Sequence, residues 1–474
     1  MPLVLGVDSS PHATTVELRD SDDGRLFGSG SAAHPAELVN NVDQDPALWW
    51  QALVDARHEA GGALGVASVA VAAQQPGLVV LDEGGRLIRP ARVRDDRAAA
   101  PDADRLVGAL GPEAWVSACG SVPTSSFTIA KLAWLRRAEP DVFARIAAVL
   151  QPHDWLTYRL SRRAVTDRGD ASSTGYWSPR EERWRPDLLE LVDPEKHWAA
   201  CLPRVLGPEE PAGDREGVMI AAGTGDAMGA ALGLALEPHD VVVDLGPSGK
   251  VFGVSERPSE DPSGAVLGLA DASGRYLPLV SSLDVASIIE SFAALLGVDR
   301  GRFDLLALGA PFGANGVVLV PARAGSYSER SAGRAGDAGG VLLGIRSDIS
   351  PELVARAVVD GVACSILDAV DALRATDVRV GGRMYLIGQG ARSHAIQGAL
   401  ASLGERPISV PKGDRVATGA CVQAAAALLG QPPAEVAASW HLHDAREVEP
   451  SANVDAREIR AAYRSATERI SSTV

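Results

Sequence analysis

Two segments far apart in the chain share one plan. The first is LVLGVDSSPHATTVELRD at residues 3–20, the second VVVDLGPSGKVFGVSE at 241–256. Each runs an apolar strand, an aspartate, a turn of small residues and a second strand. A hairpin repeated in this way constrains the chain to two related lobes. Its small-residue turns suit close approach of backbone amides to a phosphate. Pro11 and Pro247 occupy matching places in the two turns.

Between and after the hairpins the pattern alternates. VASVAVAA (66–73) and LVVLDEGGRLIRPARV (78–93) read as strands, the second broken at Gly-Gly. Helices are expected over 129–137, 144–150 and 154–160. MIAAGTGDAMGAALGLAL (219–236) and MYLIGQGARS (384–393) each read as a strand, a Gly-rich turn and a helix start. Strands are expected near 264–269 and 276–280, helices over 352–374 and 418–429, and a surface helix from about Asp444. SYSERSAGRAGDAGG (326–340) is a polar loop. A Pro-containing connection at Glu237 and Pro238 divides the chain into lobes at 1–237 and 238–474, each mixed α/β.

The chain of 474 residues is long enough for two lobes with substantial cores. A net charge of −16 argues against nucleic acid or an anionic membrane as partner, although local backbone donors can still hold a phosphate. Cys119, Cys201, Cys364 and Cys421 lack metal-ligand or CxxC spacing and read as buried thiols in a reducing compartment. The amino terminus does not read as a signal peptide, and no apolar run approaches a membrane span, so a cytoplasmic location is expected. A homodimer is left open.

Seven pieces, in order, resemble the FGGY family of carbohydrate kinases, most of all its xylulokinase branch. The first hairpin resembles the family's DxGT phosphate turn. AAQQPGLVVLDEGGRLIRPARVRDD resembles its sugar-side segment, SFTIAKLAWLRR its K-L-x-W signature, and HDWLTYRLSRRAVTDRGDASSTGYW its D-x-L…D-x-x-D-A-S segment. GTGDAMGAALG resembles the G-x-G-D catalytic turn, DLGPSGKV the G-T-S-G hairpin and GQGARS the adenosine turn. The resemblance implies an actin-like, ribonuclease-H-like fold with an interdomain cleft. It also implies ATP held mainly by the carboxyl-terminal lobe, sugar mainly by the amino-terminal one, and D-xylulose as first-choice acceptor.

Phosphoryl transfer needs an oriented hydroxyl, a base for its proton and neutralised phosphate charge. Asp226, at a strand-to-helix turn between small residues, is the expected base and a sugar contact; its bland role is to cap the following helix. Asp8 is the expected Mg²⁺ ligand, or else an Asx-turn acid of its own hairpin. Ser9 and Ser10 share that turn. Gly246, Ser248 and Gly249 are expected at ATP phosphates, with Gly388, Gly390, Ala391 and Arg392 near adenosine at a helix start. Gln75, Gly77, Asp95 and Asp96 are expected to contact sugar, the two acids competing with a salt-bridged loop formed with Arg92, Arg94 and Arg97. Lys131 and Trp134 read as an architectural pair whose lysine stem covers apolar surface.

The chain departs from the family's pattern at six ligand-facing positions. Pro11 stands for Thr, Thr15 for Lys, Pro76 for His, Arg94 for Trp, Ala227 for Asn and Pro247 for Thr. Proline lacks both N–H and hydroxyl, so Pro11 and Pro247 remove phosphate donors. Two readings follow: an active ATP- and Mg²⁺-dependent sugar kinase with an altered pocket, or a degenerate member that binds nucleotide or sugar without turnover.

Overall fold

The structure, a computed structural model, describes residues 2–36, 42–62, 65–93, 97–246, 249–283, 285–321 and 340–473. The strands that bear on the sites are β1 (Leu3–Ser9), β2 (Ala13–Asp20), β3 (Leu26–Ala33), β4 (Val66–Ala73), β5 (Pro211–Arg215), β6 (Val218–Ala221), β7 (Thr224–Gly225), β8 (Val241–Asp244), β9 (Gly249–Gly253), β10 (Tyr276–Leu283), β11 (Met384–Ile387), β12 (Ile408–Pro411) and β13 (Ala445–Val448). The helices that bear on the sites are α1 (Thr128–Ala138), α2 (Pro152–Ser161), α3 (Arg168–Ser172), α4 (Asp226–Gly233), α5 (Arg300–Leu308), α6 (Pro351–Ala375), α7 (His394–Leu403) and α8 (Arg415–Leu429).

The chain divides into two compact units. The first contains 1–236, 254–277 and 413–443; the second contains 237–253, 278–412 and 444–474. The chain therefore crosses between units several times, and 254–277 and 413–443, both beyond the single boundary expected from sequence, belong to the first unit.

In the first unit the strand order is β5-β6-β4-β1-β2-β3, with β7 also pairing β4. β1 and β4 are parallel neighbours with mostly buried residues, which explains their near-continuous apolar runs. β2 returns antiparallel from β1 and alternates more. Leu5, Val7, Val16 and Val71 pack with Trp49 and Trp155 in the core. α8 covers the sheet so closely that a Cβ at Gly6 would fall 2.2 Å from Ala417 O and 2.4 Å from Cys421 N. It also crosses α4 through glycines: a Cβ at Gly419 would lie 1.8 Å from Gly229 O.

The second unit repeats the plan, its own strands running β10-β9-β8-β11-β12-β13. β8 and β9 form the second hairpin, and β11 runs parallel to β8 as β4 does to β1. The duplication read from the hairpins thus extends to the parallel strand beside each.

Two local expectations fail and one shifts by a few residues. Residues 144–150 are not one helix: a helix over Pro140–Ala144 ends and Ala148–Leu150 pairs as a strand with Val79–Leu81. A short apolar run is ambiguous between the two states, and Pro152 disfavours helical backbone at Gln151. The expected strand at 264–269 falls at Leu267–Ala270. The terminal helix starts at Ala456 rather than near Asp444, because Ala445–Val448 instead forms β13 on β12. All four cysteines are buried. Among the described residues no helix is long and apolar enough to cross a membrane.

Candidate active site

In the first unit the register aligns the functional turns. Asp8 on β1 and Thr224 on β7 both pair with Ala72 of β4, and Ser9 and Gly225 both pair with Ala73. All three strands are parallel, so Asp8, Gln75 and Asp226 emerge at one carboxyl edge, where open α/β sheets hold ligands. Two strand spacings separate the β1 and β7 backbones by roughly 10 Å. Asp8 is buried, whereas Asp226 is partly exposed in the first turn of α4 and accepts from Ala227 N at 2.7 Å.

The hairpin turn after Asp8 closes on itself. Ser10 donates both its N–H and its hydroxyl to Ala13 O, at 3.0 and 2.9 Å. His34, unnoticed in the sequence, braces the same turn: Nδ1 lies 3.3 Å from Pro11 O and Nε2 2.9 Å from Thr14 Oγ1. A carbonyl only accepts, so Nδ1 carries the proton and Nε2 accepts from the threonine. Burial holds the imidazole below its ordinary pKa, which agrees with this neutral form.

The turn Gly223-Thr224-Gly225-Asp226 packs its glycines closely against protein. Gly223 has φ +81°, and a Cβ there would lie 2.6 Å from the His153 ring and 2.7 Å from Val71 O. At Gly225 a Cβ would lie 1.1 Å from Gln75 Oε1. Gln75 therefore lies directly against the turn that carries Asp226, and its amide oxygen is buried without a hydrogen bond among the described residues. Gly225→Ala has an allowed backbone (φ −74°), so the fold is expected to survive while Gln75 is displaced. The expected cost in kcat/KM for sugar is about 100-fold, read by steady-state kinetics beside an unchanged circular dichroism spectrum.

The Gln75-Pro76-Gly77 turn is pinned from behind. Gly77 N donates to Gln151 Oε1 at 2.7 Å and Thr128 Oγ1 donates to Gly77 O at 2.9 Å. Lys131 on α1 is fully buried and donates to Pro76 O at 2.9 Å and to Ser126 O. Its ammonium group thus holds two carbonyls. Trp134 carries the Arg92 guanidinium 3.5 Å from its ring centroid, and Arg92 pairs with Asp43 at 3.2 Å. Arg94, Asp95 and Asp96 lie outside the described residues.

Behind the Gly223–Asp226 turn sits a buried charged cluster. His153 Nδ1 is 2.5 Å from Asp170 Oδ2, and Nε2 is 3.1 Å from Asp154 Oδ1 and 3.9 Å from Asp167 Oδ1. Burial alone lowers the His153 pKa, but the Asp154 and Asp170 carboxylates outweigh it and raise it to about 9. Burial raises the Asp154 carboxyl to about 7 against the opposing pull of His153. Both folded values exceed the unfolded ones, so both groups favour the fold at low pH. The His153 contribution is complete below about 6.5 and lost as pH rises through 9, a loss of about 3 kcal/mol. Urea midpoints are expected to fall between pH 6.5 and 9.5, and to fall less in His153→Gln; equal slopes would show that His153 does not carry the effect.

In the second unit the two expected nucleotide turns meet. Leu245 N donates to Ile387 O at 2.9 Å and Gly390 N to Leu245 O at 3.0 Å. Gly388 has φ +83°, and a Cβ there would fall 2.6 Å from Asp244 Oδ1. Asp244 Oδ1 accepts from Gly246 N at 3.0 Å, an Asx turn at the carboxyl edge of β8. Gly249 opens β9, while Pro247 and Ser248 lie outside the described residues. Gly388 to Arg392 passes through a short 3-10 turn in which Ala391 is buried and Arg392 exposed. The amino terminus of α7 is not an open anion site. Asp304 of α5 accepts from His394 N and Ala395 N at 3.2 and 3.1 Å and from the Ser393 hydroxyl, and Ser393 Oγ accepts from Ile396 N. A cavity of about 520 Å³ in this unit is lined by Phe312, Leu319, Cys364, Ile459 and Tyr463 among others, and includes neither Asp244 nor Gly388.

Two duplicated units, each with an aspartate at the carboxyl edge of a hairpin strand, define a phosphotransferase of the actin-like ATPase fold. The chain belongs to the FGGY family of carbohydrate kinases: residues 3–233 match its N-terminal domain and residues 284–428 its C-terminal domain. It is 39% identical over 454 residues to the xylulose kinase of Streptomyces coelicolor, covering 93% of this chain and 91% of that one. The xylulose kinase of Haemophilus influenzae is 27% identical over 448 residues, with 89% and 90% covered. Among solved structures, the xylulose kinase of Bifidobacterium adolescentis superposes with a TM-score of 0.83 at 34% identity, over 98% of this chain and 99% of that one. The chain is a carbohydrate kinase that uses ATP.

Proposed function

We propose that the chain phosphorylates D-xylulose, with Asp226 as the base that takes the proton from the attacking hydroxyl. The chemistry rests on one observation above all, the shared carboxyl edge of β1, β4 and β7 with Asp8, Gln75 and Asp226 on it. The acceptor rests on the xylulose kinases that resemble the chain over most of its length. In this reading Gln75 and Gly77 orient the sugar, with Asp95 and Asp96 as further contacts, and residues 1–237 form the sugar side. ATP lies on the side of 238–474, its phosphates at Gly246, Ser248 and Gly249 and its adenosine at Gly388, Gly390, Ala391 and Arg392, with Ser9 and Ser10 as further ATP contacts.

An oxygen-only set at the edge, the carboxylates of Asp8 and Asp226 and the amide of Gln75, suits a hard cation such as Mg²⁺. Asp8 would hold it, directly or through water, and the ion would neutralise phosphate charge. Asp226 orients the hydroxyl and accepts its proton, and the buried Asp8 side chain and Gln75 amide oxygen help keep bulk water from competing as acceptor. Both acids persist despite the altered neighbours, and nothing among the relatives favours a non-catalytic reading. The test is coupled ADP release with ATP and Mg²⁺ across ketoses, aldoses and polyols. Turnover with D-xylulose well above that with the other sugars is expected; turnover with a different sugar would replace the acceptor, and none at all in folded protein would remove the kinase reading.

A further inference from the structure

We propose that the buried His153–Asp170–Asp167 cluster is a positioning device that sets the catalytic turn through one hydroxyl, that of Thr224. The inference rests on the reading of Asp226 as the base, two residues beyond Thr224. Thr224 Oγ1 donates to Asp167 Oδ2 at 2.7 Å. Asp167 is fixed as an acceptor by the Gly169 and Asp170 amides, both at 2.9 Å, as it caps α3. His153 grips the same turn from the adjacent side, its ring filling the space beside Gly223. Gln423 of α8 donates to Gly223 O at 2.9 Å and closes the third side.

A hydroxyl donates more strongly to a carboxylate than to a carboxylic acid. Asp167 is wholly buried, and burial pushes its carboxyl towards the neutral form, against which His153 acts. Three donors converge on the Asp167 carboxyl group, the Gly169 and Asp170 amides and the Thr224 hydroxyl, and the charged imidazole pulls it toward the ionised form that accepts the Thr224 bond most strongly. The groups that face His153 are Asp154 from its own helix, Asp167 from the end of the strand Val165–Asp167, and Asp170 from α3. Tyr176 lies near Asp154 and Asp170, and burial keeps its phenol above the ordinary range and hence neutral. His153 is the cation among these groups.

Loss of its proton would weaken the hold on Thr224 without any contact to substrate. Four variants test this: Thr224→Val, which removes the hydroxyl at constant shape, Thr224→Ser, which keeps it, Asp170→Asn, which removes a charge that keeps His153 protonated, and Asp226→Ala. Thr224→Val is expected to lower kcat about 10- to 100-fold with sugar KM within about twofold, because Gln75 and Gly77 are untouched. Thr224→Ser is expected to stay within about threefold of the parent. In Asp170→Asn the alkaline fall of kcat is expected to move down by at least about one pH unit.

A Thr224→Val enzyme with parental kcat overturns the proposal. So does a loss of kcat in Thr224→Val that Thr224→Ser shares, since that would mark a packing effect. An unmoved pH profile in folded Asp170→Asn overturns the electrostatic part, and if that variant does not fold, the Thr224 pair alone decides. Asp226→Ala separates the two readings: abolished turnover there with unchanged turnover in Thr224→Val defeats positioning alone, whereas retained turnover defeats the assignment of the base.

Discussion

Asp226→Ala is expected to lower kcat for sugar phosphorylation about a thousandfold, within the range a positioned general base contributes. The side chain stands in the first turn of α4, partly exposed, at the carboxyl edge it shares with Asp8. Its alternative role is helix stabilisation, because an acid near a helix amino terminus contributes about 0.3–1 kcal/mol. The two roles separate cleanly. A helix-stabilising acid can be removed with little effect on kcat, since Gly225, not Asp226, is the N-cap residue. Loss of the base leaves a folded protein that still shows melting shifts with sugar and ATP. Initial rates of ADP release beside a thermal melt would check this, and a variant within tenfold of the parent would reassign the residue as structural.

Gly419→Ala carries the largest expected effect on stability, about 3 kcal/mol or more. A new Cβ at 419 would lie 1.8 Å from Gly229 O, and at Gly233 on the partner helix it would lie 1.8 Å from Arg415 O. Both clashes are with backbone, so no rotamer change relieves them; α4 and α8 must separate. That separation would also shift the helix that starts at Asp226. Gly398 in α7 supplies the control. It is helical too, but a Cβ there meets nothing within 4 Å, so Gly398→Ala is expected to be neutral or to gain about 0.5–1 kcal/mol. Urea melts of the two variants should move in opposite directions. Equal shifts would mean that the α4–α8 crossing has room the close contacts deny.

The turns were legible because their chemistry is local. An apolar strand, an acid and small residues within ten positions suffice to mark Asp8, Asp226 and Gly388. What supports the turns was not legible, since it comes from side chains distant in sequence with no periodic signature. Gln151, Thr128 and Lys131 reach the 75–77 turn from 50 or more residues away. His153, Asp167 and Asp170 all stood inside a quoted family segment, yet only folding turns that spacing into a cluster behind Thr224. His34 had a signal in principle: pairing of Ala33 with Ala13 puts the next residue beside the Pro11 turn. The capping of α7 by Asp304 had none.

The helix α8 has a consequence for how the protein is made. It belongs to the first unit, yet it is encoded after nearly all of the second. On a ribosome, β1 and β4 emerge early, and the face that receives α8 at Gly6 waits until Leu429 has left the exit tunnel. The amino-terminal sheet is therefore finished only when synthesis is almost over. Premature termination anywhere before Arg415 strands an apolar sheet face without its cover, a natural mark for quality control.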